Sequence, residues 1–178
     1  TTFDARGVND LNSLPRKASY YRQYDPALHR QSAAINLEVR KPHRAKRSHS
    51  KRSTFLGDLP ERYILVPFQV RFDSQVILNS RQINSMQELY CWAQEAIEYA
   101  DPEKSLYIVV KEHPSDPHKY DDLYRKHPKI IFSNRNTQEL IEKSEAVMTL
   151  NSSVGMEALL FRKRLIVLGE ACYKIRGM

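Results

Sequence analysis

The 178-residue sequence contains little cysteine and little glycine. Its two cysteines, Cys91 and Cys172, provide neither a disulfide framework nor the spacing of a metal-binding motif, which favours a reducing, cytoplasmic setting. Its five glycines form no phosphate loop of the GxGxxG or GxxxxGK(S/T) type and no GxSxG nucleophile elbow. These absences argue against a nicotinamide oxidoreductase, a P-loop nucleotidase and an α/β-hydrolase.

Long apolar runs are also missing from the sequence. None approaches the roughly 20 residues that a membrane-spanning helix needs, and the start of the chain lacks the pattern of a signal peptide. The chain begins without a methionine and stops soon after a predicted strand, where an alternating α/β pattern would continue into a helix. We therefore expect a soluble piece of a longer protein, truncated at both ends.

Charge divides the chain into two parts. Residues 1–57 hold twelve basic and four acidic side chains, whereas residues 58–178 hold sixteen basic and seventeen acidic side chains. The first part is predicted to be a basic connecting segment, with a short helix at residues 26–39. Within it, residues 40–52, from Arg40 to Arg52, carry seven Lys or Arg, two His and no acid, so this basic run is expected to be a mobile linker. The second part has the apolar content of an ordinary folded domain.

The second part alternates short β-rich runs with amphipathic stretches, which is typical of βαβ units and a parallel sheet. The predicted strands are residues 63–68, 106–110, 129–132, 146–150 and 165–168, and the predicted helices are residues 86–99, 117–126, 137–143 and 154–161. Pro67 should stand at a strand end or edge, and Asn136 should cap the third helix. The prediction is an α/β fold: a Rossmann-like parallel sheet of about five strands with helices on both faces.

Ligands of such sheets bind beyond the carboxyl ends of the strands, so the residues that follow each strand are the candidates for chemistry. These are Gln69, Arg71, Asp73, Ser74 and Gln75 after the first strand, residues 111–114 after the second, residues 151–153 and Gly155 after the fourth, and Gly169 and Glu170 after the fifth. All of them are expected at one edge of the sheet.

The segment after the fourth strand is the most informative of these. Ser152 and Ser153 open a helix, where two hydroxyls and unpaired backbone N–H groups could hold a phosphate. An ordinary serine N-cap explains Ser153 equally well. Glu157 lies too far from either serine for a capping box, so a hydrogen bond to a ribose is possible, although glutamate also suits any exposed helix position.

Two further side chains could contribute chemistry. His113 follows the second strand and precedes Pro114, which restricts its backbone, so its imidazole could bind a phosphate or carry a proton. A solvated surface histidine is the simpler interpretation. Asp73 could act as a nucleophile or general base toward an anomeric carbon, or it could simply form a turn beside Ser74. No group of His, Cys, Asp and Glu has the spacing of a metal site.

Several motifs together resemble a known family. They are Gln69-Val-Arg-Phe-Asp73-Ser-Gln, Val110-Lys-Glu-His113-Pro114, Leu150-Asn-Ser-Ser-Val-Gly-Met-Glu157-Ala-Leu-Leu-Phe and Ile166-Val-Leu-Gly-Glu-Ala-Cys-Tyr173. In this order they are similar to the capsule polysaccharide biosynthesis and export family, whose characterised members are β-Kdo transferases. The resemblance covers about residues 60–178, and the sequence departs from the family pattern at Arg71 and Phe72 and in the basic run.

The resemblance implies the donor lobe of a GT-B glycosyltransferase that uses CMP-β-Kdo at the cytoplasmic face of the inner membrane. The acceptor would be a glycolipid on which a β-Kdo linker is built for capsule attachment and export. His113, Ser152 and Ser153 would hold the CMP phosphate, Glu157 the ribose, and Asp73 would be a catalytic carboxylate. The pattern implies no metal and no cofactor, because the imidazole and helix N–H groups would neutralise the phosphate.

Two rival functions remain open. One is another GT-B transferase that uses a CDP-alcohol or a UDP-sugar. The other is a non-catalytic module whose basic run binds anionic lipid at a membrane surface. Nucleic acid is a less favoured partner, because the sequence contains no known nucleic-acid-binding motif.

Overall fold

The computed structural model describes residues 58–80, 82–101 and 105–174. The predicted helix at residues 26–39 and the basic run lie outside these residues. The strands are β1 (Tyr63–Pro67), β2 (Tyr107–Lys111), β3 (Ile130–Phe132), β4 (Ala146–Thr149) and β5 (Arg164–Val167), and the helices are α1 (Ser74–Asn79), α2 (Met86–Ala100), α3 (Thr137–Lys143) and α4 (Val154–Leu160).

The five strands form one sheet in the order β3-β2-β1-β4-β5, and every pair is parallel. The chain adds β2 and β3 on one side of β1 and then returns to add β4 and β5 on the other. The strand order therefore reverses between β1 and β4, and a ligand crevice forms at such a switch point in open α/β sheets. The predicted fold class is confirmed.

Alternating side chains of the strands enter two separate cores, which explains why helices cover both faces of the sheet. On one face Val66, Ile108 and Val110 pack with Val76 of α1 and with the apolar side of α2. On the other face Leu65 packs with residues of β2 and β4 and with apolar side chains of α3 and α4. Both sides of the central strands are therefore apolar, as expected for a buried parallel sheet.

The predicted helix at residues 117–126 is wrong, because the structure has turns there and no helical segment. Asp116 fixes these turns: its carboxylate accepts hydrogen bonds from the backbone N–H of His118 at 3.0 Å and from the hydroxyl of Tyr120 at 2.9 Å. Tyr120 and Leu123 are buried in the apolar core that also contains Val76 of α1. Within residues 117–126 only Tyr120 and Leu123 are fully buried, so this polar segment has little of the apolar face that stabilises a helix by packing.

Helix α1 is not among the predicted helices, because six residues are too few to display a helical period. The other helices and all five strands lie where they were predicted, apart from shifts of one or two residues at their ends. Pro67 ends β1, and the Asn136 side chain caps α3 by accepting hydrogen bonds from the N–H groups of Gln138 and Glu139. In the part of the chain that the structure describes, no helix combines the length and the apolar character needed to cross a membrane.

Candidate functional site at the carboxyl edge of the sheet

Two buried amide side chains join the ends of β1 and β4 at the switch point. Gln69 is 4% exposed and Asn151 is 9% exposed. The Nε2 atom of Gln69 donates a hydrogen bond to Oδ1 of Asn151 at 3.0 Å. The Nδ2 atom of Asn151 in turn donates to the backbone carbonyl of Gln75 at 2.8 Å, so the two strand ends and α1 are held together by polar contacts.

Asp73 lies at the same place and is the N-cap of α1. Its Oδ1 atom accepts from the backbone N–H of Gln75 at 2.8 Å, and its Oδ2 atom lies 3.3 Å from Nε2 of Gln69. Asp73 therefore has the local structural role that the turn-forming interpretation predicted. The same carboxylate is half-buried and lies at the carboxyl edge, where ligands of open α/β sheets generally bind.

His113 follows β2, the strand on the other side of β1 from β4. Its Nδ1 atom accepts a hydrogen bond from the backbone N–H of Ser115 at 3.2 Å, and its carbonyl accepts from the N–H of Asp116 at 3.1 Å. Because Nδ1 is an acceptor, the neutral ring carries its proton on Nε2. The half-buried imidazole can therefore donate one hydrogen bond from Nε2.

The two serines after β4 have different local roles. The Oγ atom of Ser152 accepts from the N–H of Val154 at 3.3 Å, whereas Ser153 makes no side-chain cap hydrogen bond to α4. The half-buried hydroxyl of Ser152 and the exposed hydroxyl of Ser153 both follow β4, at the carboxyl edge. A serine N-cap exists here, but the capping hydroxyl belongs to Ser152.

The expectation of unpaired N–H groups at the start of α4 is wrong for three residues. Val154 bonds to the Ser152 side chain, Gly155 donates to the Ser152 carbonyl at 2.9 Å, and Met156 donates to the Ser153 carbonyl at 3.0 Å. Ser153 already has helical backbone angles, so these donors find partners within the first turn. The hydroxyls, rather than these three N–H groups, are the donors that this turn can offer.

Glu157 lies one turn into α4 and is half-buried. Its backbone N–H donates to the carbonyl of Ser153 at 3.2 Å. The structure thus places all five predicted site residues at or near the carboxyl edge. Asp73 is hydrogen-bonded to Gln69. His113 follows β2 and the two serines follow β4, and β1 lies between these two strands.

Three residues near this edge received no role from the sequence. Gln69 and Asn151 were noted only for their positions after strands, and Tyr173 only as the end of a motif. The hydroxyl of Tyr173 donates to the carbonyl of Ser152 at 2.5 Å, and burial raises the pKa of this phenol well above its ordinary value of 10.0. The sequence signal that could have identified Gln69 and Asn151 was a polar residue directly after a predicted buried strand.

Among the described residues, no group of three or more His, Cys, Asp or Glu side chains is arranged to hold a metal ion.

Comparison with protein families gives a match over most of the chain. The family described as "Capsule polysaccharide biosynthesis protein" matches residues 14–178. The chain is 36% identical over 176 residues to Protein FixF of Sinorhizobium fredii (strain NBRC 101917 / NGR234). This alignment covers 98% of this chain and 41% of FixF. The chain is also 32% identical over 133 residues to the capsule polysaccharide export protein KpsS of Escherichia coli. This alignment covers 69% of this chain and 34% of KpsS.

Two solved structures share the fold. Both come from Thermosulfurimonas dismutans KpsC. The β-Kdo 2,7 transferase has a TM-score of 0.53 at 24% identity and covers 86% of this chain and 45% of its own. The β-Kdo 2,4 transferase has a TM-score of 0.54 at 21% identity and covers 68% of this chain and 38% of its own. The chain spans less than half the length of each of these four relatives.

Proposed function

Because the chain belongs to the capsule polysaccharide biosynthesis family, we propose that it is the nucleotide-sugar-binding lobe of a GT-B glycosyltransferase. The donor is CMP-Kdo, and the acceptor is a glycolipid-linked saccharide used in capsule assembly and export. The Kdo transferase activity named for the two structural neighbours supports this choice of reaction. The protein works in the cytoplasm, at the surface of the inner membrane.

One observation carries the proposal: polar side chains with complementary chemistry follow three neighbouring strands, two of which, β1 and β4, form the switch point. Asp73 follows β1, His113 follows β2 and Ser152 follows β4, and these strands are adjacent in the order β2-β1-β4. Parallel strands lie about 4.8 Å apart, so β2 and β4 are separated by about 10 Å. A nucleoside monophosphate with its sugar is long enough to contact side chains from all three strands.

The phosphate of CMP is the group that His113, Ser152 and Ser153 bind in this proposal. His113 donates from Nε2, since its Nδ1 accepts from Ser115. Ser152 donates its hydroxyl hydrogen while its oxygen continues to accept from Val154. Glu157, one turn farther along α4, accepts hydrogen bonds from the ribose hydroxyls. These donors stabilise the negative charge that develops on the departing phosphate.

Asp73 is the catalytic carboxylate of the proposed reaction. In the transfer, the bond between the anomeric carbon of Kdo and the phosphate oxygen breaks, and CMP leaves with the electron pair. A new bond forms to the acceptor hydroxyl oxygen, whose proton must be removed. Asp73 serves either as the general base that takes this proton or as a nucleophile that holds the sugar in a covalent intermediate.

The reaction as proposed needs no metal ion, because the imidazole and hydroxyl donors perform the neutralisation that Mg²⁺ performs elsewhere. Transfer by the full-length protein should therefore continue in excess EDTA. A loss of activity that added Mg²⁺ restores would overturn this part of the proposal.

The central test uses the full-length protein with CMP-Kdo and a glycolipid acceptor. Asp73→Asn should lower kcat by about a hundredfold or more, as expected when a catalytic acid–base group is lost. Asp121→Asn, an exposed aspartate in the turns after β2, is the matched control and should transfer Kdo at the wild-type rate. Unchanged turnover in Asp73→Asn would contradict the assignment.

The choice of donor nucleotide is tested separately by ligand-induced stabilisation. A ligand that binds only the folded state raises the melting temperature, so CMP should raise Tm more than CDP or UDP does. His113→Ala and the double variant of Ser152 and Ser153 to alanine should lose most of that shift. A larger shift with CDP or UDP would favour the rival transferases that use a CDP-alcohol or a UDP-sugar.

A further inference from the structure

Gln69 and Asn151 form a buried amide bridge, and the contacts determine which of its atoms donate and which accept. The carbonyl of Gln75 is only an acceptor, so the Asn151 atom 2.8 Å from it must be Nδ2. Oδ1 of Asn151 is then turned toward Gln69, 3.0 Å from Nε2. The Gln69 amide therefore presents its hydrogens to this oxygen and to Oδ2 of Asp73 at 3.3 Å.

The bridge leaves one atom unsatisfied. Within the described residues, the buried Oε1 atom of Gln69 has no hydrogen-bond partner. A buried acceptor without a partner destabilises a fold, so Oε1 does not explain the glutamine at this position. The two N–H donors of its side chain do, since both have partners at the candidate site.

We propose that Gln69 and Asn151 are positioning residues that fix the orientation of the Asp73 carboxylate at the switch point. Gln75 holds the amide of Asn151, Asn151 holds the amide of Gln69, and Gln69 holds Oδ2 of Asp73. Oδ1 is held by the backbone N–H of Gln75. Both carboxylate oxygens are thus fixed before a ligand binds, and small displacements of a reacting group are costly to the rate. The catalytic part of this inference rests on the proposed function.

A spectroscopic experiment tests the bridge without any activity. In ¹H–¹⁵N spectra of the full chain, the side-chain amide signal of Gln69 should shift in Asn151→Asp, which removes the donor to Gln75, and again in Asp73→Asn. The Gln94 side-chain amide, which donates to Glu98 at 3.0 Å in α2, should not shift. A Gln69 signal that is unchanged in both variants would overturn the inference.

A kinetic experiment tests the positioning role in the full-length transferase. Gln69→Glu replaces both donors by acceptors and should lower kcat by about tenfold or more, while CMP affinity stays within about twofold. Gln94→Glu makes the same change beside a carboxylate outside the site and should preserve both parameters. Gln69→Met, which removes the donors without adding charge, should also lower kcat and provides the comparison if Gln69→Glu does not fold.

The outcomes separate the two proposals. Equal losses of kcat and CMP affinity in the Gln69 variants would indicate a general structural role and overturn the positioning role, as would unchanged kinetics. If the wild-type protein transfers no Kdo, the proposed function fails. In that case the amide signals alone decide whether the bridge holds Asp73.

Discussion

Gly155 shows how a single residue shapes the candidate site. A Cβ atom at this position would lie 2.6 Å from Cζ of Tyr173, which is closer than packed atoms approach each other. The Tyr173 hydroxyl is at the same time bound to the carbonyl of Ser152. The glycine therefore allows the tyrosine ring to lie against α4 and to hold the turn that carries the two serines.

Gly155→Ala should destabilise the protein by about 1–3 kcal/mol, the usual range for overpacking a core, because the Tyr173 ring must move. Urea unfolding measures the change. Adding Tyr173→Leu to Gly155→Ala should recover part of the loss, whereas Tyr173→Leu alone should be destabilising. Strictly additive effects in the double variant would show that the two residues do not compete for space.

Lys111, the last residue of β2, makes stability depend on pH. Burial lowers the pKa of its ammonium group from the ordinary 10.5, and its Nζ atom donates to the carbonyl of Arg135 at 2.8 Å. Between the lowered pKa and 10.5, the unfolded chain binds more protons at this residue than the folded chain does. The contribution of Lys111 to the free energy of unfolding therefore rises with pH in that window.

The comparison with Lys111→Met isolates this effect, because the tyrosines titrate in both proteins. As the pH rises toward 10.5, the free energy of unfolding of the wild type should rise relative to that of the variant. Urea unfolding at several pH values provides the measurement. Parallel curves would contradict a lowered pKa.

At the scale of elements, α3 and α4 begin in different ways. The Asn136 side chain caps α3, whereas the Ser153 side chain forms no cap hydrogen bond to α4. Asn136→Ala should therefore cost about 1 kcal/mol of stability. Ser153→Ala should change stability by less than about 0.5 kcal/mol, as is usual for exposed positions. Equal losses in the two variants would mean that Ser153 also supports its helix.

The turns after β2 form an element that carries His113. Asp116 is 5% exposed and bonds both the backbone of His118 and the hydroxyl of Tyr120. Its own N–H donates to the carbonyl of His113, so it links the histidine to the buried part of the loop. Replacing the buried Asp116 should therefore affect stability much more than replacing an exposed aspartate of the same segment.

Asp116→Ala should destabilise the protein by about 1–3 kcal/mol, because the buried partners lose their acceptor. It should also weaken the CMP-induced rise in Tm. Asp122→Ala, at an exposed position in the same turns, is the control and should leave both quantities near wild type. The same unfolding free energy in both variants would contradict the anchoring role of Asp116.

At the scale of the whole molecule, charge separates two parts of the chain. The seven basic residues of the basic run are proposed to bind anionic lipid near the glycolipid acceptor, with about 1 kcal/mol contributed by each cation close to the surface. Changing all seven to glutamine in the full-length protein should abolish binding to vesicles rich in phosphatidylglycerol. Vesicle sedimentation at low and high salt measures the loss.

The control for the basic run is a variant with two exposed lysines of the second part of the chain replaced, Lys119→Gln with Lys126→Gln. This control should bind vesicles like the wild type. Vesicle binding that survives neutralisation of the basic run would remove it as the membrane contact. A plain linker is then the remaining explanation.

Hydrophobic patterning was sufficient to predict the five strands, α2, α3, α4 and the parallel sheet. These elements bury apolar side chains at regular spacing, and that spacing is visible in the sequence. It failed for residues 117–126, where only Tyr120 and Leu123 are fully buried and little apolar face is available to stabilise a helix, and for α1, which is too short. The positions of Asp73, His113 and Ser152 after strands were predicted correctly, while their roles in binding and catalysis remain predictions.

The sequence by itself determined the alternation of strands and helices and which residues follow each strand, because these depend on local chemistry and periodicity. Only the tertiary structure decided that β1 lies between β2 and β4. That order brings Gln69 and Asn151, which are 82 positions apart, into hydrogen-bond contact. Such a pairing depends on how strands assemble, and the assembly is set by the packing of two apolar cores rather than by neighbours along the chain.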